Sequence, residues 1–510
     1  MFMRRYGLNI IQIRNVSTRL LPDTVRGQML RGHIKLNPIV ADVINNKMMF
    51  NHLPNNLRRH MQHMYIKLQE NETFPQVKTT LETDAFIGAF FLRDYGATYQ
   101  VLDELKRRLD ESGIVPRSVL EVSHGPGTGM VALNDLFLQG DQNETITSSS
   151  PSSVAWGQER KDSVVLGGVE MLNRAKLLLD AQESGDQTRL AKTRLISSVP
   201  GNVTTSKYDL IILNHELLRD PKRYPYEIDS QISHYLPMLS DQGYIVMLER
   251  GTPTGSETIA RARELIIREN ANTTTTTNNN NSEFKIIAPC SHMERDPLQL
   301  NNLNYYKSKK NNLKFISFQK MIQRPKYLLE LKRGKLLSLS WNNNTNRKKL
   351  LELRGKGRPE GNDHEMINYT YLVMGKNVLL NKIDKWPRII SPPIKKKGHV
   401  ILNVCTVEPE VKIENWIIPR SMSREIYHDA RKAQWGDLWP HGAKSKIPIR
   451  QQIDISSLKR VEVERIRRLK VEEKSRDTKM INQLHELDGD VETTKETIEL
   501  GAKIFSHFSK

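Results

Sequence analysis

Residues His124-Gly-Pro-Gly-Thr-Gly129 follow the apolar run Val119-Leu-Glu-Val122 and precede the helical pattern Met130-Val-Ala-Leu133. Gly125, Gly127 and Gly129 carry no side chains, so the backbone can turn tightly and let a ligand approach, while the helix that follows offers its unpaired N–H groups. Such a loop is a cradle for a nucleotide-type ligand, although a tight turn with nothing bound has the same spacing. Cys290 and Cys405 are the chain's two cysteines. Thiolates are nucleophiles and soft metal ligands, and imidazole and carboxylate such as those of His292 and Asp296 suit zinc. Two buried small hydrophobes are the alternative. A third group is positive: Lys395, Lys396 and Lys397, with Arg431 and Lys432, which either contact phosphate oxygens or stay solvated.

The elements that must hold these groups are legible from periodicity. Residues 1–22 carry Arg4, Arg5, Arg14 and Arg19 and no acidic residue, the composition of a mitochondrial presequence. Residues 23–112 repeat apolar positions three and four apart and form an N-terminal helical region. From 113 to 335, strands alternate with helices, and Tyr208-Asp-Leu-Ile-Ile-Leu213 and Gly243-Tyr-Ile-Val-Met-Leu-Glu249 have the apolar runs of strands buried on both faces. That pattern predicts a doubly wound α/β domain with ligands at the carboxyl ends of its strands, interrupted by a low-complexity loop at 271–282. Arg324-Pro-Lys-Tyr-Leu-Leu-Glu-Leu331 reads as a further strand. Residues 336–440 form a small β-rich module with a polar insertion at 341–363, in which Gly398–Val404 and Val411–Ile418 alternate like an antiparallel pair. Residues 441–510 form a charged helical tail.

Composition narrows the partners. The chain has 77 Lys+Arg against 58 Asp+Glu, a formal net charge of +19, which favours a polyanion such as RNA over an acidic metabolite. No apolar run reaches the length of a membrane span. Two cysteines rule out a disulfide framework and fit a reducing compartment.

The order of parts resembles class I S-adenosylmethionine-dependent methyltransferases: a Gly-rich loop after the first strand, Asn214-His-Glu216 after the fourth and Glu249 ending the fifth. The resemblance implies that Glu121, Ser123, Gly125, Gly127 and Asn214 line a site for S-adenosylmethionine. Ser123 stands where the family's first loop glycine is usual, and the second strand ends Val165-Leu-Gly-Gly168, without the carboxylate that holds the ribose hydroxyls.

Five ordered segments carry a closer likeness. Leu248-Glu-Arg-Gly-Thr-Pro-Thr-Gly255, Ala288-Pro-Cys-Ser-His292, Gln323-Arg-Pro325, Lys397-Gly-His-Val400 and Ala430-Arg-Lys-Ala-Gln-Trp-Gly-Asp-Leu-Trp-Pro440 are similar to the methyltransferase-like family of the mitochondrial small ribosomal subunit. The resemblance implies a matrix protein that binds small-subunit rRNA and ribosomal proteins, not DNA or a membrane, and supports mitochondrial translation as an assembly factor or subunit. It also implies a [4Fe–4S] site. Cys290 matches the first family cysteine and Cys405 the last, while Asp296 and Ile316 occupy the other two positions. Two other readings remain open: a working rRNA methyltransferase, and an iron–sulfur or other metal-binding regulatory protein.

Overall fold

The computed structural model describes residues 20–71, 76–138, 155–184, 190–200, 207–275, 283–307, 313–332, 363–408, 410–449 and 467. The chain divides into two units, Met1–Asn301 with Lys314–Arg450, and Asn302–Leu313 with Gln451–Lys510. Of the second, the described part is a short 3-10 helix, Leu303–Lys307, with its flanks. Most of the tail (450–466 and 468–510), most of the presequence and residues 341–362 of the polar insertion therefore lie outside the described residues, as does 276–282 of the low-complexity loop.

The first unit is built on one large sheet. Its strands are β1 Ser118–Ser123, β2 Arg160–Val165, β3 Arg194–Ile196, β4 Tyr208–Asn214, β5 Leu239–Arg250, β6 Phe284–Ala288, β7 Phe318–Gln323 and β8 His364–Lys376. The spatial order is β3-β2-β1-β4-β5-β8-β6, with β7 also on β8. The first five run parallel. β8 is antiparallel to β5, β6 and β7. A reversed strand set between the fifth and sixth of a doubly wound sheet makes this the methyltransferase-like α/β fold that the order of motifs predicts.

Alternation along the strands explains the two-sided core. Val119, Leu210, Ile212, Val246 and Tyr371 face the helices Thr128–Leu138 and Val169–Glu183 and the N-terminal helical region. Leu120, Val122, Ile211, Met247 and Met374 face the helices Tyr226–Tyr235 and Pro253–Thr275. Helix Leu92–Ser112 lies so close to the sheet that a Cβ on Gly96 would come within 2.4 Å of Ile367.

Beside this sheet, β9 Arg388–Ile389, β10 Ile394–Lys395, β11 His399–Cys405, β12 Ile413–Pro419 and β13 Ser445–Pro448 form a second, antiparallel sheet ordered β10-β11-β12-β13, with β9 on β11. β11 and β12 are the expected pair, in register Val400↔Ile418 and Leu402↔Trp416.

Three boundaries and one element differ from expectation. β8 lies beyond residue 335, so the main sheet draws on the stretch assigned to the β-rich module, which starts only after Lys376. β13 pairs with β12, so residues 445–448 belong to that module and not to a helical tail. Arg324–Leu331 is not a strand: Lys326–Lys332 is a helix after β7, with Tyr327, Leu328 and Leu331 buried on one face. Short apolar runs fit either period, and here Pro325 starts the helix. The low-complexity loop also begins later than 271, because the helix from Pro253 runs to Thr275.

One buried network joins these parts. Arg388 of β9 donates to a Glu104 Oε1 at 2.6 Å, to the Pro289 carbonyl at 2.7 Å and to the Gly436 carbonyl at 2.7 Å. Arg108 also donates to Glu104, and Tyr371 of β8 does so at 2.7 Å. Burial alone would raise the Glu104 carboxyl, but Arg388 and Arg108 hold it well below the usual carboxylate range. Replacing Arg388→Met leaves a buried carboxylate short of its partner and is expected to cost about 3–5 kcal/mol in urea unfolding. The Glu104 contribution is present above its ordinary value of 4.5 and is lost as pH falls from there towards the depressed native value, so the gap between the two proteins should narrow in acid.

Candidate functional site

At the carboxyl ends of β1, β4 and β5 the Gly-rich loop closes over Glu121. This carboxylate is fully buried and accepts hydrogen bonds from Gly129 N at 2.6 Å, Met130 N at 3.0 Å and Ser163 Oγ at 2.9 Å. A carboxylate at a helix N-terminus is favoured by the unpaired N–H groups there. The glycines answer to the protein's own side chains: a Cβ on Gly129 would sit 2.9 Å from both Asn214 Nδ2 and Glu121 Oε1, and Gly127 has φ +68°. Glu121, Gly127 and Asn214 thus lie together, with Ser123 ending β1 and its Oγ donating to the Gly125 carbonyl of the loop at 3.4 Å.

Beside them the motif residues His215 and Glu249 meet Asp94, which sequence spacing did not single out. His215, at φ 56°, follows Asn214 with Nε2 3.2 Å from Asp94 and Nδ1 3.4 Å from Glu249. Burial alone would lower its pKa, but the two carboxylates push it up to about 9. Asp94 belongs to the N-terminal helix Leu92–Ser112, far from His215 in sequence, which is why no local motif announces the pair. Asn214 Nδ2 and Glu249 Oε1 are buried without a hydrogen-bond partner.

This edge fits S-adenosylmethionine poorly on the ribose side. Both Glu121 oxygens are turned onto the loop's own amides and Ser163. After β2 the chain continues Leu166-Gly-Gly168, and a Cβ on Gly167 would meet the His124 carbonyl at 2.4 Å, so the loop backbone covers the strand end where a ribose carboxylate would be needed. No methyl-transfer step follows from these residues.

The thiols form a second centre. Cys290, on the segment after β6, and Cys405, ending β11, are buried with His292 in one cluster whose ligand atoms all lie within 4.8 Å of one another. Contact with Cys405 draws the Cys290 thiol down and pushes the Cys405 thiol up, as expected when one proton is shared. Burial and the Arg263 cation push His292 down to about 2, keeping it neutral. Asp296 and Ile316 line the same cavity as Cys290 and His292, and burial raises the Asp296 carboxyl. Arg263, which no sequence pattern marked, donates to the Cys290 carbonyl at 2.7 Å and the His292 carbonyl at 2.8 Å.

The third group gathers at the surface of the β-rich module. Lys395, Lys396, Lys397, Arg431 and Lys432 are exposed. Arg431 donates to the Lys396 carbonyl at 3.3 Å and Tyr427 to the Lys397 carbonyl at 3.0 Å, so helix Arg424–Lys432 and the β10–β11 turn present their cations together. Burial, Arg431 and Lys432 lower the Lys395 pKa, the mark of crowded positive charge. Trp416 and Trp439 are buried core residues.

The sequence pattern of the family described as mitochondrial small ribosomal subunit Rsm22 matches residues 80–310 and 341–440. The ribosome assembly protein RSM22, mitochondrial, of Saccharomyces cerevisiae is 35% identical, covering 92% of this chain and 85% of its own length. The human ribosome assembly protein METTL17, mitochondrial, is 23% identical over 40% of this chain and 34% of its own. Among solved structures, the plantazolicin methyltransferase BpumL in complex with SAH is 11% identical, over 66% of this chain and 100% of its own, at a TM-score of 0.23.

The His215 cluster has a pH signature. A histidine whose native pKa lies above its ordinary value stabilises fully below that value and loses its contribution as pH rises through the native one. Stability should therefore fall between pH 6.5 and about 9, by on the order of 3 kcal/mol, and His215→Gln should flatten that slope in urea midpoints measured across the range.

Proposed function

Because the chain belongs to the mitochondrial small ribosomal subunit Rsm22 family, we infer that it is a mitochondrial protein that assembles the small ribosomal subunit. The observation that carries this reading is the 35% identity to a mitochondrial ribosome assembly protein, sustained over 92% of the chain. The methyltransferase-like sheet serves as the scaffold of that protein, and the +19 formal charge suits a partner made of RNA.

The basic surface of the β-rich module supports a particular mode of binding. Lys395, Lys396, Lys397, Arg431 and Lys432 are held on one rigid corner by the backbone contacts of Arg431 and Tyr427. Among the described residues none of the five is in an ion pair. Cations fixed in this way neutralise phosphates and release counterions, which gives affinity without base sequence preference. Small-subunit rRNA is the partner proposed for this corner, with ribosomal proteins as neighbours in the assembling particle.

The protein should co-sediment with small-subunit particles from matrix lysate at low salt and leave them at high salt. Sedimentation apart from these particles at every salt concentration contradicts the reading. Replacing Lys395, Lys396 and Lys397 together by Ala is expected to reduce the slope of log affinity against log salt by about 2–3. An unchanged slope would move the rRNA contact to another face.

A further inference from the structure

The [4Fe–4S] cluster implied by the family does not fit this chain. Such a cube needs about four thiolates, and two cysteines are present. Ile316 places an apolar side chain on the cavity wall.

We propose that Cys290, His292 and Cys405 instead hold a single zinc ion, which fastens the segment after β6 to the end of β11. Cys405 Sγ lies 3.7 Å from His292 Nε2. Tetrahedral zinc, with bonds near 2.3 Å to sulfur and 2.0 Å to nitrogen, wants these two atoms about 3.6 Å apart. All three ligands are buried, so an ion there is shielded from water. Asp296 lines the same cavity but stands outside that three-residue cluster, so it reaches the fourth position through a water and not directly. Two thiolates balance the ion's charge, and Asp296 and Arg263 balance each other. Arg263 also grips the carbonyls of Cys290 and His292, which fixes the Cys-x-His turn before any metal arrives. Thiolate, imidazole and carboxylate together are a zinc set.

The protons balance as follows. Each thiol that binds releases one proton to solvent. The Glu294 amide points at His292 Nδ1 from 3.3 Å, which places the neutral ring's proton on Nε2, towards Cys405. Zinc takes Nε2, so the proton must move to Nδ1, and both the Glu294 amide and Arg263 Nη1, which lies 3.2 Å from Nδ1 and 3.5 Å from Nε2, must turn aside from the ring. His292 is therefore the weakest of the three ligands, and the two thiolates provide most of the affinity.

Metal analysis of the purified full chain tests this. About one zinc per chain is expected, without iron or acid-labile sulfide even from anaerobic preparations. Cys290→Ser and Cys405→Ser should each abolish stoichiometric zinc, whereas His292→Ala should keep zinc with affinity reduced by about tenfold or more. Because the cysteine variants can fail to fold, cobalt is titrated into the metal-free wild type, and a thiolate-to-cobalt charge-transfer band in the near ultraviolet is expected. Iron with sulfide, copper in place of zinc, a Cys290–Cys405 disulfide in protein kept under reductant, or no cobalt band would each overturn the proposal.

Discussion

The Glu104–Arg388 contact is the constraint on which the architecture turns. Glu104 comes from the N-terminal helical region, Tyr371 from the last strand of the main sheet, Arg388 from the first strand of the β-rich module, and the Pro289 carbonyl from the segment that carries Cys290. Taking two charges out of water is unfavourable, and the arrangement holds only because the other donors of the guanidinium are used as well. Against a typical stability of about 5–15 kcal/mol, a junction worth several kcal/mol decides whether the parts stay together. It also explains why the β-rich module is not an appendage. The module's position is set by charges it cannot satisfy alone, and Gly27, Thr24 and Arg31 of the N-terminal segment reinforce it through Leu438, Asp429 and Asp437.

The Gly-rich loop takes a different meaning from its geometry. Gly127 and Gly129 are demanded by Ser163, Glu121 and Asn214, which belong to the protein itself. These contacts make the first βα turn self-supporting. His215, locked between Asp94 and Glu249, ties the helical region to this edge and adds to that rigidity.

Much of this was legible in the sequence, and what was not has physical reasons. β1, β4 and β5 announce themselves because parallel strands buried on both faces must be continuously apolar. β11 and β12 announce themselves by alternation, one face on Trp416 and Leu402 and the other towards solvent. β8 does not, because it follows a long polar insertion and its partners lie far back in the chain. The helix Lys326–Lys332 was misread because seven residues with Tyr327, Leu328 and Leu331 suit either period. At the sites, Cys290 and Cys405 could be paired by likeness to a family, but Arg263, Asp94 and Arg388 act through contacts that no local spacing encodes.

The position of β8 bears on how the chain is completed in time. Arg250 pairs with Tyr369, so the open edge of β5 waits for residues that follow it at long sequence separation. Non-local pairing of this kind is slow, because loop-closure entropy is lost before the contacts form. Until β8 arrives, β5 exposes unpaired backbone N–H and C=O groups of an apolar strand, a template for association with other chains. A chain that emerges amino end first passes through that state on every round of synthesis, so the β5 edge is the part of the fold that stays open longest.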